Sequence, residues 1–91
     1  MRWKFQSIHQ KRGVLIMMYQ KNIRLSQESV GEFVNAASRC DFDIDVCYGR
    51  ITVDAKSIMG VFSLDLSHCL TVKYQGQDDN FECVLNRYEV A

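Results

Sequence analysis

The sequence contains no proline, and only five of its 91 residues are glycine. No proline-rich or glycine-rich stretch separates two domains, and a chain of this length supports one modest core. Its longest apolar run, residues 14–19, is far shorter than the roughly 18–20 residues that a membrane-spanning helix needs. Hydrophobic residues make up 47% of the chain and charged residues 24%, which argues against disorder. These values predict one small globular domain that does not cross a membrane.

The chain also lacks an excess of either charge, with 11 basic and 11 acidic residues. Residues 1–16 contain four bases and no acid, so the rest of the chain is slightly acidic and poorly suited to nucleic acid. No C-x-x-C spacing and no secretory signal occur, and the chain has only two histidines, so we expect no metal, no cofactor and a cytoplasmic location. We expect all four cysteines to be reduced thiols that pack as small side chains: Cys40, Cys47, Cys69 and Cys83.

Hydrophobic periodicity predicts four strands, at residues 19–25, 43–47, 50–54 and 69–74. The second and third strands flank Tyr48-Gly49 and form the clearest predicted hairpin. Apolar residues with helical spacing predict three helices. The first follows Ser26 or Ser29, either of which could cap it, the second covers residues 58–64, and the third follows Asp78 or Asp79 as its cap. The order β-α-β-β-α-β-α predicts an α+β fold. In it, two or three helices cover one face of an antiparallel sheet.

The segment Asp54–Leu64, with the sequence D-A-K-S-I-M-G-V-F-S-L, resembles HPr, the small phosphocarrier of the bacterial sugar phosphotransferase system. Supporting matches are Phe33-Val34 in the first helix, the hairpin, and Thr71-Val72 in the last strand. The resemblance covers roughly residues 18–88. It implies the HPr-like open-faced sandwich, a four-stranded antiparallel sheet covered on one face by two to three helices. Residues 18–91 would form this domain.

The departure from the family lies where HPr carries its phosphate, on a histidine just before the first helix in a G-[IL]-H-x-R-P-A-like motif. Here residues 25–32 read L-S-Q-E-S-V-G-E, without histidine, arginine or proline. Phosphohistidine transfer needs an imidazole nucleophile and a cation that holds the phosphoryl group, and Glu28 would repel that group. His9 and His68 match no family position. We therefore expect that the carrier chemistry is lost and that the protein is not an enzyme.

The resemblance implies a regulatory phosphorylation site at Ser57, the serine that a dedicated kinase modifies in Gram-positive bacteria. A helix N-cap explains the same serine without regulation. Lys56 could neutralise a phosphate there or simply be solvated. In the family, the patch that corresponds to Ile58, Met59 and Phe62 docks partner proteins. The alternative is that this segment enters the core, but a helix this short cannot bury every side, so we expect Met59 and Phe62 to be partly exposed.

The interpretation that we favour is a regulatory, protein-binding module of the HPr family without phosphohistidine transfer. Its implied partners are proteins, such as an HPr-type kinase or a carbohydrate-responsive regulator. The first rival is a true phosphocarrier that uses an unexpected acceptor. The second rival is a binding domain of similar topology that is unrelated to sugar transport, which fold alone does not exclude.

Residues 1–17 form a basic leader with two interpretations. It is either a genuine basic arm that contacts an acidic partner or the product of a misassigned start codon. Lys11-Arg12-Gly13 can be encoded by a purine run that resembles a ribosome-binding site, and Met17-Met18 follows shortly afterwards. We favour the misassigned start. The upstream nucleotide sequence decides between the two.

Overall fold

The computed structural model describes residues 4–11 and 14–90, and the side chains from residue 18 to residue 90. Five strands and three helices follow one another in this part of the chain. They are β1 (Lys4–Lys11), β2 (Val14–Ile23), α1 (Val30–Ser38), β3 (Ile44–Tyr48), β4 (Ile51–Asp54), α2 (Ile58–Phe62), β5 (Leu70–Tyr74) and α3 (Asp79–Tyr88). Among these helices, none has the length and apolar character needed to cross a membrane.

The strands form one sheet in the order β1-β2-β5-β3-β4, and every neighbouring pair is antiparallel. The α+β fold and the four predicted strands are confirmed as β2, β5, β3 and β4. The structure adds β1 at the edge of the sheet and extends β2 back to Val14. Both additions lie in the leader or directly after it, outside the four predicted strands. Whether this leader belongs to the natural protein stays a prediction.

The core lies between the sheet and the helices. In α1 the apolar residues Val30, Phe33, Val34 and Ala37 follow helical spacing, and all four are buried. In β5 the side chains alternate as predicted, with three buried residues, Leu70, Val72 and Tyr74. The rings of Phe33 and Phe81 lie 5.9 Å apart, and those of Tyr74 and Phe81 lie 5.4 Å apart, so aromatic contacts join α1, α3 and the sheet.

A buried polar network ties α3 to two strands. The side chain of Lys21 in β2 is fully buried, and its Nζ donates to Glu82 Oε1 and to Asn86 Oδ1, each at 2.9 Å. The hydroxyl of Tyr74 in β5 donates to the other carboxylate oxygen of Glu82 at 2.8 Å. Burial is the main cause that raises the pKa of the Tyr74 hydroxyl above its ordinary value, and the hydrogen bond to Glu82 is the second. The network satisfies polar groups that would otherwise be costly to bury.

Two local predictions concern the hairpin and the cysteines. Gly49 has φ of 60°, the left-handed conformation that a tight hairpin turn requires, and β3 pairs with β4 as expected.

The packing role predicted for the cysteines holds for Cys40 alone, which is buried. Cys47 is half-buried and Cys83 is exposed because β3 and α3 turn these positions away from the core, and Cys69 is exposed in the loop before β5. All four are free thiols.

Candidate functional site

The segment that precedes α1 is a tight turn closed by its own hydrogen bonds. Ser29 is only 9% exposed. Its hydroxyl donates to the carbonyl of Ser26 at 3.1 Å and accepts from the Ser26 N–H at 2.8 Å. The expectation that Ser26 or Ser29 caps α1 with its side chain is wrong. Ser29 is the N-cap residue by position, but its helical φ and ψ of −91° and −11° turn the hydroxyl back to Ser26 instead.

The charged groups around this turn are acidic or already paired. Glu28 is exposed, and Glu32 in the first turn of α1 accepts hydrogen bonds from Arg87 and from the Tyr88 hydroxyl of α3. The hydrogen bond from the Tyr88 hydroxyl lowers the pKa of the Glu32 carboxyl most, and the hydrogen bond from Arg87 lowers it further. The guanidinium of Arg87 therefore serves an ion pair between helices. Residues 25–32 present neither an imidazole nor a cation to a phosphoryl group.

A histidine does lie in the loop between α2 and β5. His68 is about half exposed, its Nε2 is 3.3 Å from Asp65 Oδ2, and its ring stacks on Tyr48 with the centroids 5.1 Å apart. Arg24, just after β2, donates to the backbone carbonyl of the adjacent Ser67. The structure thus brings a histidine, a carboxylate and an arginine into one neighbourhood. Sequence reasoning missed it because Arg24 and Tyr48 are distant in the chain and no motif joins them.

Ser57 begins α2, as its position in the sequence predicts. Its hydroxyl accepts a hydrogen bond from the Gly60 N–H at 3.2 Å, and its backbone is extended, with φ −104° and ψ 108°. The N-cap prediction is therefore confirmed. The side chain is exposed, so the hydroxyl is accessible to another protein. Phosphorylation of Ser57 stays a prediction.

Lys56 is not simply solvated as one of the two expectations had it, and its neutralising a phosphate stays a prediction. Its Nζ donates to the backbone carbonyl of Cys40 at 2.9 Å, just beyond the end of α1, and its N–H donates to Asp54 Oδ1 at 2.9 Å. The ammonium group therefore joins the turn before α2 to the end of α1. A partner or a phosphate at Ser57 would have to compete with this bond for the charge.

The apolar patch consists of Ile58, Met59 and Phe62 on α2. Met59 is 79% exposed, and Ile58 and Phe62 are each 45% exposed, which confirms the predicted exposure of Met59 and Phe62. Val61, on the opposite side of the helix, is fully buried together with Leu64. A Cβ added at Gly60 would meet Ser57 Oγ and Val53 Cβ at 3.3 Å, so the glycine lets α2 lie close to β4. Whether partners dock on the patch stays a prediction.

Comparisons with known proteins agree with this geometry. The family model of the PTS HPr component phosphorylation site matches residues 25–83. Among solved structures, the phosphocarrier protein HPr from Bacillus anthracis is 29% identical with a TM-score of 0.62, and the match covers 78% of this chain and 96% of that one. HPr-C-His from Thermoanaerobacter tengcongensis is 26% identical with a TM-score of 0.57, and the match covers 97% and 91% of the two chains. None of the curated proteins compared with the chain matches it. The family match and the shared α+β architecture together show that the chain belongs to the HPr family.

Proposed function

We propose that this HPr-family protein is a non-enzymatic, cytoplasmic regulatory module that binds other proteins in carbohydrate control and transfers no phosphate through histidine. The observation that supports the proposal is the turn before α1, where the family has its histidine motif. In this turn Ser29 is buried, and its hydroxyl both donates a hydrogen bond to Ser26 and accepts one from it. A hydroxyl held in this way is a poor nucleophile, and a phosphoserine ester would be a poor donor for onward transfer.

The regulatory half of the proposal rests on Ser57 and the apolar patch next to it. A phosphate on Ser57 adds about −1.5 to −2 charges at pH 7, and its oxygens can accept the Gly60 N–H in place of the hydroxyl. The fold is therefore compatible with the modification. A hydrated dianion beside Ile58 and Met59 penalises a partner that must desolvate it and favours one that supplies an arginine. We propose an HPr-type kinase as the modifying protein and a carbohydrate-responsive regulator as the reader.

The second candidate function is a phosphocarrier that uses His68 as its acceptor. The observation that favours it is the Asp65 carboxylate 3.3 Å from Nε2, which can fix the orientation of the ring as carboxylates do for catalytic histidines. Against it, the guanidinium of Arg24 is engaged by a backbone carbonyl. A transferring site needs a cation directed at the phosphoryl oxygens. We therefore rank this function below the regulatory one.

Phosphotransfer with phosphoenolpyruvate and enzyme I separates the two functions. We expect the protein to remain unlabelled, while an HPr that carries the histidine motif is labelled in the same mixture. Acid-labile phosphate on this protein at a carrier-like rate would contradict the proposal. In that case the variants His68→Ala and His9→Ala identify the acceptor.

The regulatory half has a separate test. An HPr-type kinase should phosphorylate the protein and the variant Ser63→Ala but not Ser57→Ala. Ser63 is a matched control because it is exposed at the other end of α2, where its hydroxyl donates to the Gly60 carbonyl. A pull-down with and without phosphate on Ser57 then shows whether partners distinguish the two forms. Partners unrelated to carbohydrate control would favour the rival in which the fold serves another pathway.

A further inference from the structure

A groove runs between α1 and α3 on the side of the helices that faces away from the sheet core. Its volume is about 540 Å³, within the range of roughly 300–1,000 Å³ that small-molecule sites occupy. The helices are antiparallel, because α1 follows β2, α3 follows β5, and these two strands are antiparallel. The end of α1 therefore lies across the groove from the start of α3.

Small side chains keep the groove open from its Glu32 end to its middle. Gly31, Ala36 and Val84 line it, and a Cβ added at Gly31 would have no atom within 4 Å. A larger residue at any of these positions would fill the space between the helices. The groove can therefore accept the uncharged body of a small molecule.

The two ends of the groove differ in charge. At one end Arg87 forms an ion pair with Glu32, and the carboxylate neutralises the charge of the guanidinium. At the other end lies Arg39, whose side chain has no hydrogen-bond or ion-pair partner within residues 18–90. Asn35, one helical turn before Arg39, and Asn80, in the first turn of α3, line the groove with it. Asp78 and Asp79 already lie at the positive end of the α3 dipole, so Arg39 and the two amides are the donors that this end of the groove offers to an anion.

We propose that the groove binds a small organic phosphate monoester, with the phosphoryl group at Arg39 and the organic body directed along α1 towards Gly31. Three side chains from two helices, one guanidinium and two amides, can donate to the three free oxygens of a tetrahedral phosphoryl group. This site is separate from Ser57 and the apolar patch, so it stands or falls independently of the proposed function.

The probe is glycerol 3-phosphate, titrated at constant ionic strength into the isotope-labelled protein and followed by the backbone amide resonances. We expect saturable shifts at Gly31, Asn35, Asn80 and Val84, and no such shifts with glycerol. Arg39→Gln should weaken binding by about tenfold or more, because charge-assisted hydrogen bonds are lost. Arg50→Gln is the matched control. It removes the same charge from the exposed hairpin turn and should leave the affinity within about twofold, because a distant exposed charge is screened by salt.

A second variant tests the position of the organic body. Gly31→Met has open space around its Cβ and its long side chain can extend along the groove, so it should weaken glycerol 3-phosphate binding while inorganic phosphate still binds near Arg39. Three outcomes overturn the proposal: no saturable shifts along the groove, equal weakening by Arg39→Gln and Arg50→Gln, or equal binding of glycerol and its phosphate. The first would mean that the groove is only a solvated helix surface. The second would mean that the anion responds to net charge alone.

Discussion

Replacing Lys21 by methionine tests whether the buried polar network holds α3 on the sheet. Methionine has a similar shape, but it removes the ammonium group that donates to Glu82 and Asn86. The Glu82 carboxylate would then keep the Tyr74 hydroxyl as a donor. Asn86 is exposed and can bond to water instead. The loss therefore falls mainly on Glu82.

The size of this effect follows from the burial of the pair. Removing one partner of a buried ion pair typically costs about 3–5 kcal/mol of unfolding free energy. The Lys21 side chain is 0% exposed and that of Glu82 is 20% exposed, so water can reach part of the orphaned carboxylate. We therefore expect a loss near the lower limit, about 3 kcal/mol. For a domain of this size such a loss lowers the Tm by more than about 10 °C.

Urea denaturation followed by far-UV circular dichroism measures the loss. Lys73→Met is the matched control, because Lys73 is a half-buried lysine on the neighbouring strand β5 and should change the unfolding free energy by less than about 1 kcal/mol. In the double variant Lys21→Met/Glu82→Gln an uncharged amide replaces the Glu82 carboxylate, so no buried charge is left without its partner. Its destabilisation should therefore be smaller than the sum of the single losses. A change of less than about 1 kcal/mol for Lys21→Met alone would refute the reasoning.

The remaining predictions concern the patch, the cap and two titrating groups. Met59→Ala should change the unfolding free energy by less than about 1 kcal/mol because the side chain is mostly exposed, whereas the buried Val61→Ala should cost about 2 kcal/mol; equal losses would place Met59 in the core. Ser57→Asp should alter partner binding far more than the Tm, and a sharp fall in Tm with unchanged binding would leave Ser57 as a cap only. Because the folded-state pKa of Tyr74 is raised, its contribution to stability is complete below about pH 10 and is lost as the pH rises further. Tyr74→Phe should flatten that alkaline decline, and an unchanged pH profile would contradict it. The pKa of Glu32 is lowered, so its contribution is present above about pH 4–5 and is lost as the pH falls. Glu32→Gln should flatten the acid limb of the stability profile, and an equally steep limb would count against the pairing.

The sequence predicts most clearly those elements whose signals are local. The cap of α3 is an example, since Asp78 accepts from the Phe81 N–H at 2.9 Å as the spacing indicates. The burial of Lys21 is different, because its partners lie on α3. Strand alternation does place Lys21 on the same face as the buried Ile23, and this is the signal from which it could have been found. The bond from Lys56 to the Cys40 carbonyl has no local signal, because it depends on how α2 is placed against α1.

The turn before α1 and the apolar patch on α2 belong to different parts of this fold. The turn before α1 satisfies its own polar groups through Ser26 and Ser29, so the absence of the histidine motif leaves no unpaired group that would destabilise the start of the helix. The cap at Ser57 and the apolar patch depend instead on α2 and its contact with β4. The proposed loss of carrier chemistry would therefore place no physical constraint on the proposed binding of partners by α2. For this reason phosphotransfer and kinase assays report on the two halves of the proposed function independently, and a protein that fails the first can still pass the second.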